Sequence, residues 1–376
     1  MKSDTISQFL EGIGIRKNMK VGLLVDSYSY TNGPGRVVDL QSRELAEKGY
    51  KVTIFTFEHD SKLQPHENVD VNIIGLRADS VILKAFKKFF FFLNIFKISR
   101  WIRRLKGFDV TIAHNHNIGW LSYFAKKRYG IPYIYYNHPV VADKELFPSL
   151  YYRVFMSFNS TLHTFLAKKA DYVISVSEYA RSLLAKSKIE SVVIYNKVSP
   201  LFKPDLDYWK IRRQYNLADE PIILFVGRIV PSKKIEMLID IFKKVKAKIP
   251  QAKLFIVGKQ EQRKYIEKLK KLSKPYEDSI IFTGFVPDEE LPYYYATCDV
   301  YATTSFHEGF DLPIVEAQAA KKPVVAFNIG AHKEVVKNGF LIEKGNTEAF
   351  AKKLIEVLER RCNYEFRRKE HSLNNS

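Results

Sequence analysis

The chain has 376 residues, 46 % hydrophobic and 27 % charged, more than one hydrophobic core usually serves, so two globular domains of about 200 residues each are expected. With 60 Lys and Arg against 41 Asp and Glu the formal net charge is +19, which favours anionic partners such as nucleic acid, phosphorylated small molecules or acidic lipid and carries no information on fold. Cys298 and Cys362 are the only cysteines; they have no metal-ligand spacing and indicate no disulfide framework, so a reducing compartment is the simpler reading.

Residues 1–19 are mixed polar, and the apolar run Val21–Val25 is only a strand's length, so no signal peptide is expected. From there short apolar runs alternate with longer helical patterns. "VGLLVDSY" precedes "GRVVDLQSRELAEKGY" and "KVTIFTF"; "FDVTIAHN" precedes a helical stretch ending "KKRYG" and then "IPYIYYNH". A long aromatic helix is expected from Ser149 to Lys169, before "ADYVISVS", a short helix and "SVVIYN". Strands buried on both faces read as continuous apolar runs, and the helices between them give crossovers, the signature of a parallel sheet in an α/β domain.

"NKVSPLFKPDLDYWK" breaks the pattern with two prolines and no apolar period, and reads as a linker. Alternation restarts with "PIILFVGRI", "KKIEMLIDIFKKVKAKIP", "AKLFIVGK", a Lys-rich helix, "SIIFTGFV", "ELPYYYATCDVYATTS", "LPIVEAQAAKK", "PVVAFNI" and "GFLIEKGN". An amphipathic helix is expected from Thr347 to Arg361, with the last dozen polar residues frayed. The expected organisation is one sheet-and-helix domain over 1–200, a linker over 201–215 and a second domain over 216–376, whose last helix could pack back on the first domain. Ligands in such domains bind beyond the C-terminal ends of the strands, so two of them facing each other would make a cleft.

Before the "FDVTIAHN" strand lies "KAFKKFFFFLNIFKISRWIRRLKGF", Lys84–Phe108, with four consecutive phenylalanines and eight Lys or Arg. Its uncharged run, Phe89–Phe96, is too short to span a bilayer. As one helix it places Ile82, Phe86, Phe89, Phe90 and Leu93 on a face that packs on the sheet, and turns Phe91, Phe92 and Ile95 elsewhere. Surplus aromatics framed by Lys84, Lys87, Lys88, Lys97, Arg100, Arg103, Arg104 and Lys106 suit a helix lying in an anionic membrane interface. An ordinary buried helix and a dimer contact are the alternatives.

In the first domain, "YTNGPGR" at Tyr30–Arg36 follows the first strand and opens a helix. Gly33 and Gly35 make a flexible loop whose N–H groups could meet a phosphate, or a bare turn. His138 ends a strand in "YIYYNHP". His114 and His116 in "IAHNHN" could suggest a metal, and loop or cleft roles are favoured over ligation. Asp205 and Asp207 spell Asp-x-Asp in the linker, where a metal role is not expected.

The richest stretch is "SFHEGFDLPIVEAQAA", Ser305–Ala320. Glu308 sits in a loop, and Glu316 early in a helix that starts near Leu312 or Pro313, where proline is well placed. The helix N-terminus offers backbone N–H groups and partial positive charge to a phosphate. Gly309 lets the backbone approach a ligand closely, and a buried carboxylate there can accept from sugar hydroxyls. Two solvated or capping glutamates are the alternative; Gly309, Pro313 and the preceding strand "DVYATTS" favour function.

This stretch resembles the E-x7-E region of family-4 glycosyltransferases, retaining enzymes of the GT-B fold, which is α/β with two Rossmann-like parallel-sheet domains facing a central cleft. Further segments match in the family's order. "ILFVGRIVPSKKIEMLIDIF" resembles its G-R-x(3–4)-K segment, "IIFTGFVPDEELPYYYATCDVYATTS" its G-x-V…E-L…D-V segment, and "PVVAFNIGAHKEVV" its PV-(I/V)-A…G…E-V-V segment. "ADYVISVSEYARSLL" and "VIYNKVSPLFKP" resemble the end of the family's first domain. The likeness runs from about Met19 to Arg361 and is more specific in the second half.

The resemblance implies a metal-independent, retaining transferase of the hexosyltransferase class, with a nucleotide-diphosphate sugar as donor and no cofactor. Arg228 and Lys233 match the basic pair that clamps the donor's diphosphate and stabilises the leaving group, with Lys234 an adjacent alternative to Lys233. Glu316 matches the glutamate that holds the ribose. Glu308 matches the one near the donor sugar, with Gly309 and Phe310 supplying backbone contacts and Asp311 and Leu312 completing the donor-binding set. Gly284, Phe285 and Val286 lie where the family places the nucleobase. The Gly33–Gly35 loop matches the one over the diphosphate and acceptor, and His138 the histidine near the donor sugar. Asp311 stands where the family usually has Gly, and either places a carboxylate near the donor sugar or faces solvent. Lys234 replaces the usual Gly after the clamp, and "VGKQEQ" replaces "VGxG" at Gly258.

Retention by the two-carboxylate route needs a nucleophile beneath the anomeric carbon, and the sequence offers no candidate. The family route is front-face attack, with the leaving phosphate helping to deprotonate the acceptor hydroxyl and closure of the two domains excluding water. The rival readings are another GT-B enzyme, such as a sugar-nucleotide epimerase, and a non-catalytic basic binding protein. No nucleic-acid motif is present, so no nucleic-acid partner is expected. The stretch 84–108 then fits a cytoplasmic transferase, peripheral at the cytoplasmic face of the membrane, serving a lipid-linked or glycan acceptor.

Overall fold

The apolar runs become the strands of two all-parallel sheets. The structure, a computed structural model, describes residues 5–31, 33–76, 83, 87–114, 116–139 and 150–373. The chain divides into two compact units, Met1–Lys197 and Val198–Ser376.

The first unit holds β1 (Lys20–Tyr28), β2 (Lys51–His59), β3 (Val69–Ile73), β4 (Val110–Ala113), β5 (Tyr133–Asn137), β6 (Tyr172–Ser175) and β7 (Val192–Val193), in the order β3-β2-β1-β4-β5-β6-β7. β1 is central: Val21 pairs with Val52 of β2 on one side and Val110 of β4 on the other. Its Leu23, Leu24 and Val25 are fully buried, because helices cover both faces of such a sheet. Helices Gly33–Glu47, His116–Tyr129, Leu150–Lys169 and Glu178–Ala185 make crossovers. Residues 1–19 also contain a helix, Ile6–Gly12, capped by the Thr5 side chain and buried through Ile6, Phe9 and Leu10. Ser7 Oγ fastens it by donating to Glu44 at 2.6 Å.

Residues 87–108 are not one helix. A 3-10 turn, Phe91–Leu93, ends at Asn94, whose side chain accepts from Lys97 N at 3.0 Å and starts a new helix, Ile95–Leu105. That break resets the phase of the apolar positions. Phe91, expected to point away, is buried against Phe57 with ring centroids 4.9 Å apart. Phe92 stacks on Trp120 at 5.0 Å. The residues left exposed are Leu93 (63 %), Ile95 (74 %) and Phe96 (90 %). Ile82, Lys84 and Phe86 lie outside the described residues.

The second unit repeats the plan with β8 (Ile222–Val226), β9 (Lys253–Val257), β10 (Ile280–Gly284), β11 (Val300–Thr303), β12 (Val324–Phe327) and β13 (Gly339–Ile342), ordered β10-β9-β8-β11-β12-β13. Helix Ile235–Lys248 buries Leu238, Ile239, Ile241 and Phe242 in a core that Phe350, Leu354 and Leu358 of the last helix also enter. That last helix, Thr347–Leu373, continues past Arg361, since residues 362–373 contain neither Pro nor Gly to stop it.

The expected linker 201–215 is partly structured. It carries helix Trp209–Gln214, and Phe202 meets the Tyr295 ring edge-on at 5.4 Å. Buried Arg212 donates to Glu220 O at 3.1 Å and lies 3.8 Å from Asp299. Asp207 of the Asp-x-Asp accepts from Trp209 N at 2.9 Å and pairs with Arg213 at 2.5 Å, so its carboxylate serves the start of that helix.

In both sheets the strand order turns back beside the first strand, between β1 and β4 and between β8 and β11. Open α/β sheets bind ligands outside the carboxyl ends of the strands at this switch point.

Candidate active site

In the second unit the exits of β8, β9 and β10 are tied closely together. A Cβ on Gly258 would lie 1.8 Å from Gly227 O, so only glycine fits there. Gly258 N also donates to Gly284 O at 2.8 Å. Gly284 closes β10 with φ +73 and open space beside it, followed by partly buried Phe285 and buried Val286.

Arg228 follows the β8 exit. Its side chain is 53 % exposed and 3.6 Å from Glu261. Lys233 ends the turn Pro231–Lys233, and its ammonium donates to Glu308 Oε1. The adjacent lysines separate cleanly. Lys233 turns to Glu308, whereas Lys234, at φ +50, lies over the Phe306 ring at 5.0 Å. Thr304 Oγ1, just past β11, locks the turn by donating to the carbonyls of Lys233 (3.2 Å) and Lys234 (2.9 Å). Burial alone would lower the Lys233 pKa, but Glu308 and Asp311 outweigh it and hold the ammonium above the ordinary lysine value.

Asp311, at φ +71, precedes helix Leu312–Ala319 and is buried, not turned to solvent. Its Oδ2 accepts from His332 Nε2 at 3.0 Å. Phe310 and Leu312 are buried beside it. Glu316, on the same helix and 2 % exposed, accepts from Tyr295 Oη at 2.8 Å. The loop carrying Glu308 rests on residues 330–332. Ala331 N donates to Glu308 O at 3.2 Å, and a Cβ on Gly330 would lie 2.3 Å from that same oxygen. Arg228, Lys233, Glu308, Gly309, Phe310 and Asp311 thus lie at or just beyond the exits of the two switch-point strands. Gly284–Val286 lie two strands away, at the β10 exit.

In the first unit, Gly33 and Gly35 begin helix Gly33–Glu47 and so belong to its first turn, not to a loop. Gly33 has open space around it, whereas a Cβ on Gly35 would lie 2.6 Å from Ser29 O. Gly35 is required by close packing against the β1 exit. His138 follows β5, and its Nε2 lies 3.2 Å from Nδ1 of His114, just past β4. His114 stacks on Tyr136 at 4.6 Å. Burial takes the His138 pKa down to about 3 and holds His114 well below its ordinary value, so both rings are neutral and one donates to the other. Sequence reasoning left His114 without a partner; its partner is a histidine two elements away. The side chain of His116 lies outside the described residues.

Asp26, near the end of β1, was not singled out. Its carboxylate accepts from Ile118 N at 3.1 Å and Asn117 Nδ2 at 2.6 Å, at the start of helix His116–Tyr129. Burial raises its pKa to about 6, against the lowering effect of Asn117. The signal available was a lone acid at the C-terminal end of the apolar run "VGLLVD".

A family profile described as Glycosyl transferases group 1 matches residues 207–372, and one described as Glycosyltransferase Family 4 matches residues 31–200. The chain is 34 % identical over 151 residues to the Bacillus subtilis protein YtcC, covering 38 % of this chain and 37 % of that protein. It is 31 % identical over 188 residues to the GDP-mannose-dependent alpha-(1-6)-phosphatidylinositol monomannoside mannosyltransferase of Mycolicibacterium smegmatis, covering 46 % of this chain and 48 % of that protein. The chain thus matches less than half the length of either relative. The structure of Anabaena HepE in complex with UDP-glucose is similar in fold, with a TM-score of 0.74 at 21 % identity over 92 % of this chain and 91 % of that one. The two parallel sheets are those of the two-domain α/β GT-B fold.

Proposed function

The chain belongs to the family-4, group 1 glycosyltransferases, and from that premise we propose that it transfers a sugar, with retention and without a metal, from a nucleoside-diphosphate sugar to an acceptor hydroxyl. The observation that carries this reading is the charge grouping at the β8 and β11 exits, where Lys233 is held on Glu308 with Arg228 nearby on the same strand exit. A leaving nucleoside diphosphate gains negative charge in the transition state, and cations fixed beforehand stabilise that charge without reorganising. Glu308 would lie by the donor sugar. Glu316, one oxygen already on Tyr295, would take the ribose, and Gly284–Val286 the base. The likeness to a protein that binds UDP-glucose supports a nucleotide donor.

In this reading the second unit binds the donor and the first the acceptor. Neutral His138 would serve a sugar hydroxyl, and attack would come from the leaving-group face, with the departing phosphate taking the acceptor proton. A lipid-linked acceptor is favoured by the relative named for a phosphatidylinositol mannoside. It is also favoured by exposed Leu93, Ile95 and Phe96 beside Lys97, Arg100 and Arg103, which suit a peripheral site on an anionic membrane at its cytoplasmic face. Among the described residues no helix is long and apolar enough to cross a membrane.

The test is a panel of nucleotide sugars incubated with membrane lipid extract, the product read by mass spectrometry and its anomer by NMR. Acceptor-dependent product with the donor's anomeric configuration is expected. Conversion of donor alone would favour the epimerase reading, and an inverted anomer would reject retention. Unchanged transfer by Arg228→Ala combined with Glu308→Ala would reject the site.

A further inference from the structure

Asp311 occupies the N-cap position of helix Leu312–Ala319, yet its side chain makes no capping bond to that helix. An N-cap carboxylate normally accepts from the amides of the first turn, the same groups that serve a bound phosphate. Here it is turned away, onto His332 Nε2 at 3.0 Å. The other ring nitrogen of His332, Nδ1, lies 2.7 Å from Phe327 O. A carbonyl can only accept, and so can an ionised carboxylate, so both ring nitrogens donate and fully buried His332 is an imidazolium. Its backbone belongs to the same 330–332 segment that supports the Glu308 loop.

We propose that His332 is a positioning residue of the donor site, a buried cation that holds the Asp311 carboxylate off the helix amides and away from the donor's phosphates. This rests on reading the second unit as a nucleotide-sugar site. Without the cation, Asp311 keeps only Lys233, which Glu308 already engages, so its negative charge is under-compensated at a site built for an anion, and donor affinity falls.

Proton loss from His332 has the same effect as its removal. The ionisable groups facing the pair are Lys233 on the preceding turn, Glu308 on the loop and Tyr301 on β11, with Glu316 acting through Tyr301 and Arg228 through Lys233. Lys233 is held above the ordinary lysine value and Tyr301 far above the ordinary tyrosine value, so neither changes charge near neutrality. Burial would lower the His332 pKa, but Asp311 and Glu308 outweigh it and raise it. Binding is therefore full below the ordinary histidine range and is lost as pH rises through the raised value.

The experiment is calorimetric titration of the full chain with UDP and with GDP between about pH 6 and 9, for the wild type, His332→Gln, Asp311→Asn and the double variant. The wild type is expected to weaken about tenfold across the alkaline limb. His332→Gln, which keeps a donor but no charge, is expected to be about tenfold weaker throughout and flat with pH. The double variant, with both charges gone, is expected to recover most of the affinity and remain flat. A His332→Gln profile like that of the wild type, or a double variant as weak as His332→Gln, would overturn the proposal. If His332→Gln does not fold by thermal melting, Asp311→Asn alone decides, because asparagine tolerates the left-handed backbone; it must abolish the alkaline limb. Failure of the wild type to bind either nucleotide would instead overturn the nucleotide-sugar reading, and this proposal with it.

Discussion

The two sheets share one strand order and place their switch points between the corresponding strands, yet the exits are chemically opposite. Beyond β8, β9, β11 and β12 the titratable groups are charged and paired: Lys233 with Glu308, His332 with Asp311, and Arg228 loosely with Glu261. Beyond β4 and β5 burial removes charge, leaving His114 and His138 neutral, while near the end of β1 Asp26 titrates close to 6. Paired charges can be retained in a dry site and re-partnered by an ionic ligand, whereas burial without a counter-ion selects neutral forms. In the proposed reading one exit would take the diphosphate and the other hydroxyls.

The sharpest way to break this contrast is at the charged exit. Lys233→Ala leaves Glu308 with its ammonium partner gone. Transfer is expected to fall about 100- to 1000-fold in kcat, read in the acceptor-dependent assay. Stability is expected to fall by about 1 to 3 kcal/mol in denaturant melts, the cost of leaving a part-buried carboxylate without its ammonium. Lys234→Ala, whose side chain lies over Phe306, should change kcat by less than about threefold. Equal losses in the two variants would contradict the division of labour between the lysines.

The scaffold of that exit comes next. Gly330, at φ +46, has the Glu308 carbonyl where a Cβ would go. Gly330→Ala is expected to cost about 2 kcal/mol or more and to raise the donor KM, because the Glu308 loop must shift. At the other switch point, Gly35→Ala meets the Ser29 carbonyl and should destabilise by a similar amount, whereas Gly33→Ala, in open space, should not.

The neutral exit is probed by pH. A carboxyl whose folded pKa is raised contributes stability that is full below its ordinary value and lost as pH rises through the folded one. For Asp26 the window runs from the ordinary carboxylate range up to about 6. Wild-type stability is expected to fall by about 2 kcal/mol relative to Asp26→Asn between pH 4 and pH 7, in melts at matched ionic strength. A constant difference across that range would mean that Asp26 stays ionised.

Much of this was legible in the sequence because a buried parallel strand leaves little choice. "ILFV", "LFIV" and "VVAF" have no polar side to expose. The Glu308–Glu316 stretch was legible because Pro313 marks the first turn of the helix that carries Glu316. What escaped depends on pairings between distant elements. Asp311 and His332 are 21 residues apart, and neither residue alone tells that one neutralises the other. His114 and His138 likewise meet only through the register of adjacent β4 and β5. The 201–215 segment looked like a linker because Pro200 and Pro204 mask the short helix whose Ile211 is buried.

The phenylalanine-rich stretch shows the same lesson at the scale of one residue. A single helical phase through 84–108 turns Phe91 outward and Leu93 inward, but Asn94 restarts the helix; Phe91 is buried and Leu93 exposed, while Ile95 is exposed as that phase expects. The choice of variant follows. Phe91→Ser would cut into the core and report folding. Ile95→Ser with Phe96→Ser removes two side chains that are 74 % and 90 % exposed, so melting should not change. If these side chains enter an interface beside Lys97, Arg100 and Arg103, the pair is worth about 2 to 3 kcal/mol of binding. Flotation with anionic vesicles should then drop by about 30- to 150-fold in partition coefficient, and high salt should weaken wild-type flotation as well. Unchanged flotation with a shift from dimer to monomer in sedimentation would make this patch a contact between two copies of the chain, and the lipid-borne acceptor would lose its main structural support.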